Sequence, residues 1–341
     1  MNRKLVYALS ISILVGFAAT AAQAATLWPH GPVHPEAYDY APSVLFDHQA
    51  VPQRWKAYWC GLSTAGTGDA IWYAESTDNM NWTTPQELFS GPSLGITHVC
   101  DPTVLYNPQG LQGIGWPWVM YFNDHGTNQA GCPGGTNCNN KVRIAVSANG
   151  LNWIAQPVHV TDNFIGCAGD MPSTYGCGQF SVIFIPGDPA GQYVATFGKA
   201  TGNSSIDGTW YATSTDGVHF TEGPQRWVTG TSGVDLMYNP QGVYKYLFTR
   251  NIQVTIGNQN FVFQDLQGAT SLGSSWTQLG YWIDPDQLRG SATPGFYRDN
   301  FGWRRSGDPV WTMIGFPADN TNGTPDGNTE LQALWWGEGL Y

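Results

Sequence analysis

Three copies of one pattern decide the fold: IWYAESTDNMNW at residues 71–82, VRIAVSANGLNW at 142–153 and GTWYATSTDGVHF at 208–220. In each copy an alternating run ends in Ser, an Asp-Asn, Asn-Gly or Asp-Gly pair follows, and an aromatic residue stands three positions beyond that pair. Such pairs between alternating runs are typical of the turns of β-hairpins. The sequence therefore predicts a repeated hairpin, with a degenerate fourth copy that ends at Trp276.

A second repeated element precedes each hairpin and adds a strand to the unit. It reads YDYAPSVLF at residues 38–46, HVCDPTVLY at 98–106, GCGQFSVIF at 176–184 and SGVDLMY at 232–238, with RGSATPGFY at 289–297 as a fifth copy. Another strand lies between the two elements, as in WPWVMYFND, so the repeated unit has four strands. Five such units predict an all-β fold, a five-bladed β-propeller with four-stranded antiparallel blades. A β-sandwich or a two-domain β protein is the alternative.

The chain of 341 residues has few charges and many aromatic rings, which narrows the classes of partner. Charged residues make up 11% of it and aromatic residues 14%, and 25 acidic against 14 basic residues give a net charge of −11. An ordinary globular protein has about 25% charged residues. So many aromatic residues exclude disorder, and the negative charge makes nucleic acid a poor partner. Neutral, ring-shaped ligands suit this composition better.

The first 24 residues have the pattern of a secretory signal peptide. Arg3 and Lys4 precede an apolar run at residues 5–19, and Ala-Gln-Ala at 22–24 matches a cleavage site. We therefore expect residues 25–341 to form a single exported domain, secreted or periplasmic. No later apolar run reaches the roughly 18 residues that a membrane span needs. We expect this domain to be a monomer.

Six cysteines follow the leader, an even number that predicts disulfide bonds in an oxidising compartment. The expected pairing closes two short glycine-rich loops and leaves one bridge between distant segments. The pairs are Cys132 with Cys138, Cys167 with Cys177, and Cys60 with Cys100. A metal site built from these thiols is the weaker alternative.

The order YDYAPS, HVCDPT and YGCGQFS, with STDG-type hairpins between them, resembles the five-bladed propeller glycosidases, the superfamily of the family 43 arabinosidases and xylosidases and the family 32 fructosidases. The likeness covers most of the chain after the leader and concerns its repeats and strand starts. It implies a central funnel lined by the first strand of each early blade, with an Asp from the first blade, an Asp from the second and a Glu from the third. Asp39 and Asp101 match the first two, and Gln179 stands where the Glu is expected.

Gln179 departs from the family pattern because a side-chain amide cannot transfer a proton. The resemblance implies that Asp39 is the base or nucleophile and that Asp101 orients it and raises the pKa of the acid. We expect the acid itself to be Asp235, at the corresponding register of the fourth blade, with Glu75 as a second candidate. Carboxylates that share one axis repel each other, so one of the three aspartates should keep its proton near neutral pH.

Other polar residues are expected to bind the substrate or to tune the acids. The candidates are His98, Gln179, Arg250, Glu75, Asp124 and His125. Each of these residues, and each catalytic candidate, has a structural alternative, such as forming a turn or an ion pair. We expect no cofactor and no catalytic metal. The sequence leaves open whether a structural calcium ion binds at the funnel floor.

These residues together predict a secreted glycoside hydrolase that acts on a poly- or oligosaccharide through an acidic site in the funnel. Its expected partner is a carbohydrate, with no role for nucleic acid or a membrane span. The main alternative is a non-catalytic carbohydrate-binding propeller that has lost the general-acid Glu and carries Gln179 in its place. A further alternative is an interaction scaffold with no sugar site. Turnover of a sugar, binding without turnover, and no binding separate the three.

Overall fold

A computed structural model describes residues 23–24, 26–28, 39–66, 68–96, 98–111, 114–125, 140–167, 175–188, 192–200, 208–229, 232–256, 259–283, 295–317 and 329–335. These ranges consist of strands, turns and one short 3-10 helix at Pro92–Leu94. The strands are β1 Gln23–Ala24, β2 Thr26–Trp28, β3 Tyr40–Asp47, β4 Arg54–Leu62, β5 Asp69–Ser76, β6 Gln86–Ser90, β7 His98–Tyr106, β8 Trp118–His125, β9 Asn140–Ser147, β10 Trp153–His159, β11 Cys177–Phe184, β12 Tyr193–Lys199, β13 Gly208–Ser214, β14 Thr221–Glu222, β15 Val228–Thr229, β16 Ser232–Tyr238, β17 Tyr246–Ile256, β18 Gln259–Ala269, β19 Thr277–Ile283, β20 Gly295–Asp299, β21 Trp311–Pro317 and β22 Thr329–Trp335.

The repeated hairpins form as the sequence predicts, and one hydrogen-bond pattern closes their turns. In the first copy Asp78 Oδ1 accepts hydrogen bonds from the backbone N–H groups of Met80 (2.9 Å) and Asn81 (2.7 Å). Asn149 and Asp216 cap the second and third turns in the same way. The acidic or amide residue of each turn pair is therefore a local turn former.

The strands pair into four sheets rather than five. One sheet contains β7 to β10, another β11 to β14 with β15, and a third β16 to β19 with β1. The remaining eight strands form a single sheet in the order β2, β22, β21, β20, β3, β4, β5, β6. The prediction of an all-β propeller is confirmed, and the prediction of five blades is wrong.

A parallel backbone pairing between β20 and β3 explains why the last and first repeats form one sheet instead of two. Tyr297 and Asp299 of β20 pair with Val44 and Phe46 of β3, so the last repeat continues into the first as one sheet. A Cβ atom on Gly295 would lie 1.7 Å from the carbonyl oxygen of Pro42. Only glycine permits that approach, and a side-chain pattern does not reveal it.

Alternating side chains build the core between neighbouring sheets. Along β4, Ala57 and Trp59 pack on one face, with Tyr297 of the same eight-stranded sheet. Tyr58, between them, faces the other way and packs with Phe122 of the neighbouring sheet. Because successive side chains of a strand point to opposite faces, each strand serves two clusters.

Arg298 crosses the centre of the propeller and is fully buried. Its guanidinium donates to the carbonyl of Leu236 (2.7 Å) and lies 3.4 Å from the carboxylate of Asp235 and from the hydroxyl of Ser43. These partners belong to the first strands of two different repeats. A buried charge of this kind requires its partners, so Arg298 fixes how the repeats meet at the axis.

The segment at residues 300–303 closes one end of the axis. The carbonyls of Asn300, Phe301 and Gly302 accept hydrogen bonds from the backbone N–H groups of Tyr106 (2.7 Å), Phe184 (2.8 Å) and Tyr238 (2.9 Å). These donors lie at the ends of β7, β11 and β16, the strands nearest the axis. Three consecutive residues thus join three sheets, and we call this segment the axial plug.

Two of the expected disulfide bonds are confirmed. Cys60 pairs with Cys100, which joins β4 to β7 of the next sheet, and Cys167 pairs with Cys177. Cys132 and Cys138 lie outside the described residues. Nearly all of the expected leader lies outside them too, and its last two residues form β1, paired with β19. No helix in the described ranges is long and apolar enough to cross a membrane.

Candidate active site

Three residues in strained backbone mark the open end of the axis. Ala41 (φ 50°), Asp101 (φ 49°) and Gln179 (φ 53°) lie in the left-handed region at the same place in β3, β7 and β11. The pairing register of each strand shifts at this point, as in a β-bulge. Such a conformation costs about 1–3 kcal/mol for a residue with a side chain and clusters at functional sites. Three equivalent bulges around one axis therefore indicate a site.

The bulges surround an axial cavity of about 20 Å³. That is room for about one water molecule. Its lining residues are Ala41, Pro42, Asp101, Pro102, Thr103, Gln179, Phe180, Ser181, Val234 and Asp235. The cavity is too small for a sugar ring, so a glycan would lie across its mouth.

Asp101 is the acid that this environment changes most. Burial, with a smaller contribution from the negative charge of Asp69, raises its pKa to about 7, and a hydrogen bond from Asn123 opposes this shift. An ordinary Asp has a pKa of about 3.9. Asp101 therefore exchanges its proton near neutral pH, as a general acid must.

Asp69 is the second carboxylate near this position. Its Oδ2 accepts a hydrogen bond from the hydroxyl of Tyr40 (3.3 Å) and lies 3.1 Å from Nδ1 of His98. A carboxylate oxygen of Asp69 lies within 4.8 Å of Cys100 Sγ, and Asp101 Oδ1 lies 3.7 Å from the same sulfur. The two carboxyl groups are therefore no more than about 9 Å apart, inside the upper limit for a glycosidase pair.

Asn123 connects the second and third bulges. Its side chain donates to Asp101 Oδ2 and accepts a hydrogen bond from the backbone N–H of Gln179 (3.0 Å). A Cβ atom on Gly178 would lie 2.6 Å from both the Asn123 amide nitrogen and the Tyr175 hydroxyl. Gly178 thus leaves the space in which Asn123 and Tyr175 meet. Burial raises the pKa of Tyr175 well above its usual value, and the charge of Asp101 adds to this.

Asp39 does not occupy the register of Asp101. It stands two residues before Ala41, and Ala41 is the residue that aligns with Asp101 and Gln179. The Asp39 side chain is fully buried, where it accepts a hydrogen bond from Trp59 Nε1 (2.8 Å). The carboxylate that the sequence predicts for the first repeat therefore lies two residues before the bulge, and not at it.

Asp235 lies deeper along the axis than the sequence predicts. It stands three residues before Tyr238, as Ser181 does before Phe184. Its carboxylate accepts hydrogen bonds from Ser181 Oγ and from the backbone N–H of Phe296 (2.6 Å), and it pairs with Arg298. Asp235 borders the cavity as the counter-ion of a buried arginine.

Two other predicted residues form ion pairs within their own sheets. Glu75 pairs with Arg54 and accepts a hydrogen bond from Tyr73 Oη (2.6 Å). Asp69 begins β5 and Glu75 lies near its other end, so the two residues are about 20 Å apart along the strand. Arg250 makes a two-point contact with Asp265 (2.9 and 3.1 Å).

In the second repeat the sequence predicts Asp124 at the site, and the structure places its neighbour Asn123 there instead. Asp124 points away from Asn123, toward Arg143 (3.4 Å) and His159 (3.0 Å). His125 pairs with His98 across the strands, and its side chain lies outside the described part of the structure. Asn123, rather than Asp124, thus joins Asp101 to Gln179, and His98 belongs to the site through its contact with Asp69.

Asp69, Asn123 and Tyr175 were missed by sequence reasoning. A signal for Asp69 exists, because it stands seven residues before the last Ser of its hairpin strand, and Asn140 and Asp207 stand at the same offset in the next two repeats. Polar residues repeated at one register of a buried strand point to a shared polar environment. Asn123 and Tyr175 carry no comparable signal.

One group of possible metal ligands occurs in the described part of the chain. It combines Asp69 with Cys60 and Cys100, whose atoms lie within 4.8 Å of one another. Both sulfurs belong to a disulfide bond, and a metal ligand must be a thiolate. This group therefore does not fit a metal ion.

No known family model and no curated protein matches this sequence. Solved structures do match. A family 117 glycoside hydrolase from the marine bacterium Zobellia galactanivorans shares 13% identity at a TM-score of 0.63, covering 92% of this chain and 90% of its own. Family 62 α-L-arabinofuranosidases are similar as well. The one from Podospora anserina has 12% identity, coverage of 92% and 96% and a TM-score of 0.57. The one from Coprinopsis cinerea has 14% identity at a TM-score of 0.57, covering 92% of this chain and 97% of its own.

The fold is that of the glycoside hydrolase propellers. At such low identity the likeness shows the fold alone, and activity has to be argued from the site.

Proposed function

We propose that this protein is a glycoside hydrolase that cleaves a poly- or oligosaccharide at the mouth of the axial cavity, with Asp101 as the general acid. The observation that carries the proposal is the placement of Asp101 in a strained bulge that lines the axial cavity, near the carboxylate of Asp69. Burial there, together with the charge of Asp69, raises the pKa of Asp101 to about 7. A glycosidase needs one carboxyl group that is protonated at its working pH and one that is ionised.

Asp69 supplies the ionised partner. Its negative charge favours the protonated form of Asp101, so the two carboxyl groups divide the roles between them. Asp101 gives its proton to the glycosidic oxygen as the bond from the anomeric carbon breaks. Asp69 either takes a proton from the attacking water or attacks that carbon itself, and the separation of the carboxyl groups decides which.

The neighbouring polar side chains hold the acid and the sugar in place. Asn123 fixes one oxygen of Asp101, and its contact with the backbone of Gln179 fixes the third bulge. The Gln179 amide both donates and accepts hydrogen bonds, which suits sugar hydroxyls. His98 orients Asp69.

The remaining expectations follow this function. The disulfide bonds favour an oxidising compartment, in agreement with export by the leader at residues 1–24. Within the propeller superfamily, the motifs HVCDPT and YGCGQFS make families 43 and 32 the proposed relatives. The substrate is a neutral or weakly charged glycan.

The test is hydrolysis of a panel of oligosaccharides, polysaccharides and aryl glycosides by the wild type and by Asp101→Asn, followed as released reducing ends. We expect the variant to lose at least about a hundredfold in kcat, the usual contribution of a general acid. Asp308→Asn is the matched control, because Asp308 is a half-exposed carboxylate that pairs with Arg305 shortly after the axial plug, at the other end of the propeller. Equal turnover by Asp101→Asn and the wild type contradicts the proposal.

A carbohydrate-binding propeller without turnover is the second candidate. Two of the three bulge positions hold Ala41 and Gln179, neither of which transfers a proton. Sugar binding in titration calorimetry, with no release of reducing ends between pH 4 and pH 9, would establish this alternative.

A further inference from the structure

A groove opens on the side of the molecule, between the outer strand of one sheet and the hairpin of the next. It has a volume of about 440 Å³. Its lining residues are Gln86, Leu88, Trp116, Ala148, Asn149, Leu151, Asn152, Trp153 and Ile154. We call it the lateral groove. Ligand sites in proteins have volumes of about 300–1,000 Å³, so the groove is large enough for one.

The lateral groove is separate from the candidate active site. Its hairpin turn follows Ser147, the last residue of β9, whereas Asn140, the first residue, pairs with His125 at the site end. The length of β9 puts about 20 Å between the two ends. The end of β9 at Ser147 is also the end at which the axial plug closes the propeller, because Ser147 pairs with Trp118 and Trp118 with Tyr106.

The lining combines apolar rings with uncharged hydrogen-bonding groups. Trp116 and Trp153 are half-buried, and the amide side chains of Gln86 and Asn152 are exposed. Asn149 also lines the groove, but its side-chain oxygen caps the hairpin turn. An indole offers an apolar face, and an amide offers two donors and an acceptor. A sugar presents the complement, with C–H groups on the faces of its ring and hydroxyl groups at its edge.

Charge selects among the ligands that stack on indoles. The lining contains no charged residue, and the whole chain carries a net charge of −11. A nucleic acid would gain no phosphate contact here and would be repelled by the protein as a whole. An uncharged polyhydroxyl chain, such as a neutral polysaccharide, is not repelled by the negative charge of the protein.

We propose that the lateral groove is a second carbohydrate site, which holds a stretch of a neutral polysaccharide away from the catalytic mouth. This goes beyond the proposed hydrolysis, since the groove would bind polymer whether or not the axial site turns it over. A chain held at this face keeps the protein attached to its source of substrate.

Affinity gel electrophoresis tests the proposal, with arabinoxylan, galactomannan, β-glucan and agarose cast one at a time into native gels. We expect at least one polymer to retard the wild type. Ile154→Glu should reduce that retardation at least about fivefold, because Ile154 is 51% exposed and lines the groove. Val158→Glu is the matched control, since Val158 is exposed on the same strand outside the groove. Gln86→Ala with Asn152→Ala is a second variant, confined to exposed side chains.

The outcomes separate the groove from the active site. Retardation that depends on Ile154 supports the groove even if no sugar is released, in which case the proposed hydrolysis fails alone. Hydrolysis without retardation by any of the four polymers overturns the groove alone. Retardation that Ile154→Glu and the double variant leave unchanged, with both proteins folded by thermal melting, also overturns it.

Discussion

Asp101 connects backbone strain, burial and protonation in one residue. The bulge turns its side chain toward the axis, and burial there favours the neutral acid. The unfolded chain releases this proton near pH 4, whereas the folded protein holds it up to about pH 7. Folding stability must therefore fall as the pH rises between these values, because the unfolded state then binds fewer protons.

Asp101→Asn should abolish that dependence. We expect the variant to be more stable than the wild type at pH 8 by about 2 to 4 kcal/mol, and equal to it near pH 4, where both side chains are neutral. Urea unfolding at the two pH values measures the difference. A variant with the same stability relative to the wild type at both would show that Asp101 ionises normally.

Gly178→Ala should impair the site and leave the fold intact. The added methyl group would displace Asn123 and Tyr175, and with Asn123 the hydrogen bonds to Asp101 and Gln179. A misplacement of about 1 Å costs on the order of a hundredfold in rate. We expect a loss of tenfold to a hundredfold in kcat with an unchanged far-ultraviolet spectrum. Full activity would mean that Asn123 does not position the acid.

At the scale of the element, the contact between β20 and β3 determines the number of sheets. Gly295→Ala should break it, because the Pro42 carbonyl occupies the place of the new methyl group. We expect a loss of about 2–3 kcal/mol in the free energy of unfolding. Hydrogen exchange should show faster exchange in β3 and β20 than in β8 and β9. Uniform exchange would contradict the role of this pairing.

The two described disulfides close loops of different length and should differ in their contribution. Cys60 and Cys100 are 40 residues apart, and Cys167 and Cys177 are 10 apart. Loop entropy gives about 4 kcal/mol for the longer loop and about 3 for the shorter. Double Cys→Ser variants measured by urea unfolding test this order. Loss of Cys60–Cys100 should also lower activity, because the bond lies beside Asp69 and Asp101.

At the scale of the whole molecule, the repeats were predictable and the way they join was not. Turn residues and alternation are local signals, so the hairpins, the first strands of the repeats and two disulfides followed from the sequence. The pairing of β20 with β3 and the reach of Arg298 depend on contacts between segments about 250 residues apart, which no local pattern records.

The position of the candidate site was predictable only in part. Polar residues near the strand starts pointed to Asp101, Gln179 and His98, and the roles proposed for these residues stay predictions. The sequence aligned Asp39 with Asp101, whereas the structure aligns Ala41 with it. The bulge in β3 shifts the pairing register at this point, and nothing in the amino-acid sequence marks that shift. Asn123 rather than Asp124 faces the site because neighbouring side chains of a strand point to opposite faces.

The axial plug leaves a ligand only one end of the axis to approach. Because Asn300, Phe301 and Gly302 bind the far ends of three sheets, the described part of the chain gives the axis no opening at that end. Under the proposed hydrolysis, an incoming glycan and the released product would therefore occupy the same face of the ring. The product should then inhibit competitively, which initial rates measured with added product would test.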